Sequence, residues 1–351
     1  MRDTYTSLLT LIQPDDWHLH LRDGPMLKLL VPHAAAQFDR AIVMPNLTPP
    51  ITTTEQAVEY RTRILAEVPL DCSFTPLMTL YMTDKTTPCE IRKAVASGIV
   101  FAVKLYPAGS TTNSESGVTD MTNIRETLET MATLGLPLCV HGEVTDQEVD
   151  VFDREAQFIK RVMIPLVKEF PTLRIVMEHI TTSQAVQFVQ SASPNVAATI
   201  TPHHLLYNRT ALFQGGLHPH LYCLPVLKAE HHRQALLDAI RSGSSRFFIG
   251  SDSAPHVQSN KESDCGCAGI YMGLATLSLY AEAFEQAGCL SLFEQFASYH
   301  GPRFYRLPIN RRTITLQRQP WIVPPCYSIE GVGPIIPLRA NESVDWRIVV
   351  N

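Results

Sequence analysis

The sequence predicts an α/β protein built as a (β/α)8 TIM barrel, with a short C-terminal tail packed on the barrel. Eight short apolar runs recur along the chain, and stretches with helical periodicity lie between them. Near-continuous apolar strands that alternate with helices are typical of a parallel sheet buried on both faces. Eight successive units fit a barrel, whose usual length is ~250 residues before insertions.

The predicted elements follow one another in a regular order. The first strand is taken as one run over residues 9–20, LTLIQPDDWHLH. The strands end, in chain order, near His20, Asn46, Leu80, Tyr106, His141, His179, His203 and Asp252. Helical periodicity predicts helices at 54–67, 88–97, 122–134, 150–169, 182–191 and 230–242. Residues 306–351 lack this rhythm, so we expect a C-terminal extension of a single domain spanning 1–351.

The composition excludes several classes of protein. Hydrophobic residues make up 45% of the 351 residues and charged residues 18%, which excludes a disordered chain. The net charge is −5, and no cluster of Lys or Arg offers a surface for nucleic acid or an anionic membrane. No segment approaches the ~20 consecutive apolar residues of a membrane span. The N-terminus, with Arg2 and an apolar stretch cut by Gln13 and Pro14, lacks the features of a signal peptide, so we expect an unprocessed cytoplasmic protein.

The eight cysteines are scattered along the chain, which favours reduced thiols over a disulfide framework. Cys265 and Cys267 could supply half of a zinc site. No second Cys or His pair stands at a suitable spacing, so we expect two free thiols there.

Titratable side chains stand at the ends of five predicted strands. In barrels of this class the reactive groups lie where strands end and loops begin, on the carboxyl face. We therefore expect six side chains to converge there: His18, His20, Lys104, His141, His179 and Asp252. An isolated His-x-His, or a single His after an apolar run, is more often an ordinary structural residue. The combination favours a metal site, because the strand period of two places His18 and His20 on one face.

Asp252 and Lys104 strengthen this interpretation. An unpaired carboxylate after a buried strand needs a cation, and a metal ion would serve as well as an Arg or a backbone cap. An ammonium at a buried strand end is costly and would be repelled by bound metal ions. Lys104 could extend its ammonium to solvent. Alternatively, a lysine with a depressed pKa is nucleophilic, and condensation with CO2 would convert it to an anionic carbamate that bridges two metals.

Four His, one Asp and a bridging Lys supply ligands for two divalent ions, and this ligand set suits Zn2+. Two such ions ~3.5–4 Å apart can hold a bridging hydroxide and polarise a carbonyl group. Asp252 is placed to accept the hydroxide proton as a general acid/base. The sequence therefore predicts a hydrolytic enzyme.

Seven segments carry a resemblance to a known family: DWHLHLRDG, MPNLTPP, KLYPAGSTTNS, HGEV, MEHITT, YCLPVLK and GSDSAPH. They resemble the amidohydrolase superfamily and are similar to its dihydroorotase family, in the shorter single-domain bacterial type. The match runs from residue 14 to about 305. It implies a zinc-dependent cyclic amide hydrolase that reversibly cyclises N-carbamoyl-L-aspartate to L-dihydroorotate in de novo pyrimidine (UMP) biosynthesis. It also implies a small-molecule substrate and a homodimer.

The resemblance further implies a role for each site residue. His18, His20 and Asp252 would bind one of two Zn2+ per subunit, His141 and His179 the other, and N6-carboxylysine at Lys104 would bridge them. The residues implied to contact substrate are Arg22, Asn46, Thr111, Thr112, His141, Leu224, His256 and Ala268. Residues 109–117, GSTTNSESG, would form a mobile lid.

The resemblance implies that Arg22, Asn46 and His256 bind the substrate carboxylate, and the sequence itself supports these three residues to different degrees. Arg22 lies two residues after His20 and so points to the same side, where its guanidinium can bind a carboxylate in a bidentate manner. Asn46 could equally be a turn residue, and His256 an exposed loop histidine. The roles of His203 and His204 stay open. Two rival functions remain. One is a hydantoinase or allantoinase, which would share the metal ligands but differ in the residues that bind the substrate carboxylate. The other is a metal-free scaffold protein, and the complete set of metal ligands argues against it.

Overall fold

The computed structural model describes residues 8–349, so Arg2 of the expected unprocessed N-terminus lies outside the described residues. The strands are β1 (Leu8–Ile12), β2 (Asp15–Leu19), β3 (Arg40–Val43), β4 (Thr75–Tyr81), β5 (Val100–Leu105), β6 (Leu138–Val140), β7 (Ile175–Met177), β8 (Val196–Ile200), β9 (Phe247–Ile249), β10 (Thr313–Ile322), β11 (Tyr327–Ile329), β12 (Gly333–Ile335) and β13 (Ser343–Val349). Strands β2 to β9 form one parallel sheet in sequential order. Backbone bonds from Asp252 N to His18 O (2.9 Å) and from His20 N to Ser253 O (3.2 Å) join its two edges. The predicted (β/α)8 barrel is confirmed.

Helices follow the barrel strands in the expected alternation. They are α1 (Leu27–Ala35), α2 (Thr54–Ala66), α3 (Pro88–Ser97), α4 (Arg125–Leu134), α5 (Arg154–Phe158), α6 (Ile164–Glu169), α7 (Ser183–Ser191), α8 (Pro202–Leu206), α9 (Glu230–Arg241), α10 (Gln258–Lys261), α11 (Thr276–Gln286) and α12 (His300–Tyr305). Each of the six predicted helical regions contains a helix. The region predicted at 150–169 begins later, at Arg154, and a π-helical segment, Ile159–Met163, joins α5 to α6.

Local sequence signals explain the helix ends. Thr53 caps α2 by accepting a hydrogen bond from Gln56 N, and the Gln56 side chain returns to the cap backbone. Thr87 caps α3, whose first residue is Pro88, a position where the missing N–H costs nothing. Gly98 ends α3 with φ at 68°, a left-handed conformation that glycine adopts without strain.

The prediction of one first strand over residues 9–20 was wrong. The run forms two strands, because β1 pairs antiparallel with β10 while β2 enters the barrel. Pro14 lies at the break, and proline has no N–H to donate to a continuous ladder. The burial patterns differ accordingly, since β2 is buried throughout while β1 is largely exposed on one side.

The C-terminal residues pack on the barrel as predicted, but they contain four strands rather than two short β-like stretches. Strands β10 and β13 complete a three-stranded antiparallel sheet with β1, and β11 pairs with β12. Trp346 on β13 is fully buried, and its Nε1 donates to Glu285 on α11 at 3.2 Å. Ile314 and Leu316 on β10 join the same apolar core as the barrel strands. Among the helices within residues 8–349, none is both long and apolar enough to cross a bilayer.

Candidate metal centre and substrate pocket

Four imidazole rings meet at the carboxyl ends of the barrel strands. The ring centroids of His18 and His20, on the β2 end, lie 5.3 Å apart. His179 lies 5.0 Å from His18 and 4.9 Å from His141. All four side chains are buried. The structure therefore brings together histidines that are far apart in the chain, at the face where the sequence places them.

Asp252 completes this group from the end of β9. Its Oδ1 lies 3.0 Å from His20 Nε2 and 3.3 Å from His18 Nε2. Burial raises the pKa of the Asp252 carboxyl, although His18 and Lys104 oppose that rise. Asp252 and His179 both have positive φ, 48° and 41°, which are uncommon values for residues other than glycine. Non-glycine residues in that region often belong to functional sites.

Lys104 lies beside this cluster on β5. Its side chain is fully buried, and its Nζ has no hydrogen-bond partner among residues 8–349. The alternative in which Lys104 extends to solvent is therefore wrong. Burial lowers the pKa of the Lys104 amine, and the charges of Glu178 and Asp252 only partly offset this effect. A lowered pKa favours the neutral amine, which is the form that condensation with CO2 requires.

Two carboxylates that the sequence reasoning missed orient the histidines. His18 Nδ1 lies 2.8 Å from Glu178 Oε2, and His141 Nε2 lies 2.8 Å from Glu143 Oε2. Both carboxylates are buried. Carboxylates that bind the second nitrogen of a metal-binding imidazole fix its tautomer and orientation. Their positions next to candidate ligands, in HGEV and MEH, were the signal available in the sequence.

The protonation states suit metal binding. Burial lowers the pKa of His18, His20 and His179, so these rings are neutral, as a ligand must be. Burial alone would raise the pKa of Glu178, but His18, Lys104 and a hydrogen bond from Thr199 Oγ1 lower it overall. Glu178 Oε2 also accepts hydrogen bonds from His18 Nδ1 and Thr199 Oγ1, which favour its charged form.

The donor set fits divalent metal ions. Ligand atoms of His18, His179 and Asp252 all lie within 4.8 Å of one another. His179 Nδ1 and Lys104 Nζ are buried without a hydrogen-bond partner, which is costly unless another group binds them. Imidazole and carboxylate ligands together suit Zn2+.

A cavity opens directly above this cluster. It is lined by His18, His20, Arg22, Asn46, Tyr106, Thr111, Thr112, His141, His179, Leu224, Asp252, Ala254, Ala268 and Gly269. All the expected substrate contacts line it except His256, which borders the adjoining outer cavity. Tyr106 also lines the inner cavity, and the sequence reasoning did not assign it a role.

Arg22 and His256 form a pair between the two cavities. Arg22 Nη2 lies 3.1 Å from His256 Nε2, and Arg22 Nε donates to Pro255 O at 3.1 Å. Burial and the Arg22 charge lower the pKa of His256 to about 2. The His256 ring is therefore neutral and carries no charge of its own beside the Arg22 guanidinium. A cation at the rim of a pocket attracts an anionic ligand.

Residues 109–117 lie across the mouth of the cavity. Asn46 Nδ2 donates to Thr112 O, and Asn113 Nδ2 donates to Asn46 O, both at 3.1 Å. Thr112 Oγ1 donates to Ala268 O at 3.3 Å. Polar contacts therefore link the segment predicted as a lid to Asn46 and Ala268, two residues that line the cavity.

His203 and His204 lie in α8, next to Cys223. The donor atoms of His203, His204 and Cys223 all lie within 4.8 Å of one another, which is close enough for a metal site. However, His204 Nδ1 and Nε2 already bond Thr201 Oγ1 (2.7 Å) and Pro225 O (3.0 Å). The Cys223 thiol also donates to Pro225 O. His204 and Cys223 are therefore hydrogen-bonded, whereas neither ring nitrogen of His203 has a hydrogen-bond partner within residues 8–349. Cys265 and Cys267 are free thiols, as expected.

Comparison with known proteins identifies close relatives. Residues 8–324 match the model of the amidohydrolase family. The chain is 59% identical to the dihydroorotase of Aromatoleum aromaticum over 97% of this chain and 99% of that protein. It is 58% identical to the dihydroorotase of Nitrosomonas europaea over 99% of this chain and 100% of that protein.

Solved structures of two dihydroorotases superpose on nearly the whole of this chain. The dihydroorotase of Campylobacter jejuni superposes with a TM-score of 0.90 at 36% identity, covering 100% of both chains. The Saccharomyces cerevisiae dihydroorotase, solved with 5-fluoroorotic acid, has a TM-score of 0.90 at 31% identity, covering 98% of this chain and 99% of that one. An L-hydantoinase from Arthrobacter aurescens shares the fold, with a TM-score of 0.79 at 15% identity over 96% of this chain and 82% of its own.

Proposed function

Because this chain belongs to the amidohydrolase family and, within it, to the dihydroorotases, we propose that the mouth of its barrel holds a two-zinc centre that catalyses the dihydroorotase reaction. The enzyme is a cyclic amide hydrolase that interconverts N-carbamoyl-L-aspartate and L-dihydroorotate in pyrimidine biosynthesis. The observation that carries the proposal is the convergence of four imidazoles, Asp252 and the unpartnered Lys104 Nζ beneath one cavity.

The two metal sites divide the ligands between them. His18, His20 and Asp252 would hold one Zn2+, and His141 and His179 the other. When bound, the two ions would supply Lewis acidity for a carbonyl group and would lower the pKa of bound water. Glu178 and Glu143 would hold the His18 and His141 rings in the ligand orientation.

Lys104 would bridge the two sites as N6-carboxylysine. Its neutral Nζ would attack the carbon of CO2 to form an N–C bond, and the nitrogen would lose one proton. The side chain would change from a potential cation to an anion. Full burial of Lys104 supports this step, because burial lowers the pKa of the amine and Nζ has no hydrogen bond to any residue in 8–349.

Arg22, Asn46 and His256 would bind the substrate carboxylate. Arg22 brings a positive charge to the pocket rim, and a guanidinium can bind a carboxylate through two parallel hydrogen bonds. Asn46 Nδ2 would add a further donor, and His256 would donate its single N–H to the carboxylate in place of Ala268 O. Thr111 and Thr112, which line the cavity, would reach the substrate from the covering segment, and Leu224 and Ala268 would contact the ring through backbone groups.

Asp252 would move the proton. In hydrolysis its carboxylate would accept a proton from the attacking water and deliver it to the ring nitrogen as the amide bond breaks. In cyclisation the protonated form would act in reverse. The protonated form of Asp252, which cyclisation needs, becomes more populated as the pH falls. Ring closure should then gain relative to hydrolysis, so the two directions should show opposed pH profiles.

The resemblance to the dihydroorotases also supports proposals for the location, oligomeric state and domain organisation of the protein. We propose that it is a cytoplasmic homodimer acting on a small molecule, and that residues 1–351 form one domain with 306–351 as its extension. A hydantoinase-like activity would retain the metal ligands but would not need Arg22 as a carboxylate clamp. A scaffold would not need the neutral buried Lys104 among histidines.

Purified wild-type protein tests the proposal directly. We expect turnover of L-dihydroorotate and of N-carbamoyl-L-aspartate, with hydantoin and allantoin as control substrates that turn over far more slowly. Elemental analysis should find two zinc ions per subunit, and a mass spectrum that preserves labile adducts should show one CO2 on Lys104. Hydantoin as the better substrate, or near-zero zinc after purification without chelators, would contradict the proposal.

A further inference from the structure

A buried ammonium group lies behind the substrate pocket. Lys261, the last residue of α10, is only 4% exposed. Its Nζ donates to three backbone carbonyls, Tyr222 O at 2.8 Å, Cys267 O at 2.9 Å and Gly269 O at 2.8 Å. An ammonium has three N–H donors and no acceptor, so all three donors are used on the main chain.

These three carbonyls belong to the two segments whose backbone faces the cavity. Cys267 and Gly269 flank Ala268, and Tyr222 precedes Leu224 by two residues. Ala268 and Leu224 both line the inner cavity. A backbone bond from Gly269 N to Tyr222 O, 3.0 Å long, joins the same two segments. Lys261 therefore links them at a single point behind the pocket.

The segment around Ala268 is held by hydrogen bonds rather than by regular secondary structure. Residues 262–272 contain no helix or strand, only an isolated bridge from Ile270 to Ser253, and Cys267 N donates to Asn260 O at 3.0 Å. Gly269 has φ at 147°, and a Cβ there would lie 2.6 Å from Ala254 O, so no side chain can anchor this residue. Ala268 O also accepts hydrogen bonds from Thr112 Oγ1 and His256 Nε2. Its orientation therefore affects both the covering segment and the Arg22 partner.

We propose that Lys261 is a positioning residue that fixes the peptide groups of Leu224 and Ala268 for contact with the cyclic amide ring. The inference rests on the proposed function. A neutral side chain cannot replace this ammonium, because no single uncharged atom offers three donors. Without Lys261, three largely buried carbonyls would lose a partner, and the two segments would separate to reach water.

The test compares Lys261→Met with a matched control, Arg246→Met. Arg246, which is half-buried, likewise donates to three carbonyls, those of Ala192, Ser193 and Val196. Those carbonyls lie just before β8 and at its first residue, and none of the three residues lines the pocket. Both substitutions should lower the melting temperature. For Lys261→Met we expect KM for dihydroorotate to rise about tenfold with kcat within about threefold and zinc content unchanged. For Arg246→Met we expect an unchanged KM.

Hydrogen exchange supplies a second readout that does not depend on turnover. In Lys261→Met the amides of residues 222–224 and 267–270 should exchange faster together, whereas Arg246→Met should leave both segments protected. Lys261→Gln keeps two N–H donors on a shorter side chain. It should raise KM and the exchange rates in the same direction as Lys261→Met but to a smaller extent. This variant replaces Lys261→Met in the test if the Met variant does not fold.

The outcomes separate the two proposals. Failure of the wild type to turn over dihydroorotate would refute the proposed function, while the exchange data would still decide whether Lys261 joins the segments. An active Lys261 variant with KM within twofold of the wild type would overturn the inference. So would an equal rise of KM in Arg246→Met.

Discussion

Glu178 offers the sharpest test of how the site is held together. Its Oε2 accepts hydrogen bonds from both His18 Nδ1 (2.8 Å) and Thr199 Oγ1 (2.6 Å), while its Oε1 has no partner. A glutamine can place its carbonyl oxygen at the Oε2 position and its NH2 group at the unpaired position. Glu178→Gln therefore keeps both hydrogen bonds and removes only the negative charge.

The expected magnitude follows from that difference. A hydrogen bond to a charged group contributes ~1.5–3 kcal/mol and a neutral one ~1 kcal/mol, so the charge accounts for about 0.5–2 kcal/mol. The middle of that range corresponds to a roughly tenfold weaker zinc affinity. Glu178→Leu also removes the hydrogen-bond acceptor that orients His18. The zinc affinity of this variant should fall by about a hundredfold, which is the upper end of the loss seen when a carboxylate behind a metal-binding histidine is removed.

The assay is competition for Zn2+ with a chelating dye, applied to the wild type and both variants. Glu155→Gln is the matched control, because Glu155 is equally buried but bonds Thr181 and Thr182 rather than a histidine. We expect its zinc affinity to stay within about twofold of the wild type. Equal affinities for wild type and Glu178→Gln would refute the reasoning, as would a loss in Glu178→Gln as large as in Glu178→Leu.

Three further predictions follow from the structure. Arg22→Met should raise KM for dihydroorotate by about tenfold to a hundredfold with zinc content intact, and unchanged turnover would refute the carboxylate assignment. Burial lowers the pKa of His33 and His204 to about 4. The folded state therefore favours their neutral forms, so the free energy of unfolding of the metal-free protein should fall as pH drops from about 6.5 to 4; a constant melting temperature over that range would contradict this. Gly301→Ala would place a Cβ 1.9 Å from Trp17 Nε1 and should lower stability by about 3 kcal/mol, measured by urea denaturation; a loss below about 0.5 kcal/mol would show that the ring can move aside.

The candidate ligands could be predicted from the sequence because each belongs to a local pattern. Lys104 and Asp252 are polar residues at the ends of apolar runs, and the barrel prediction brings such ends to one face. The orienting carboxylates could not be assigned in this way. Glu178 pairs with His18 across 160 positions, and nothing in the local sequence names its partner.

The same limit explains the other differences. The hydrophobic run before Pro14 looks like a barrel strand, but its pairing with β10 depends on residues 313–317 at the other end of the chain. Lys261 likewise resembles a surface lysine at the end of a short helix. Its burial depends on how the loops after β8 and β9 meet, and loop conformation leaves little trace in residue periodicity.

The central claim is that one pocket floor holds two zinc ions on these side chains, with a carboxylated Lys104 between them. A crystal structure of zinc-loaded protein grown with bicarbonate, with anomalous data at the zinc edge, tests it most directly. The account predicts two peaks ~3.5–4 Å apart, one beside His18, His20 and Asp252 and one beside His141 and His179. Density for a carbamate on Lys104 should connect them. An unmodified Lys104 with no anomalous peak among these histidines would contradict the account.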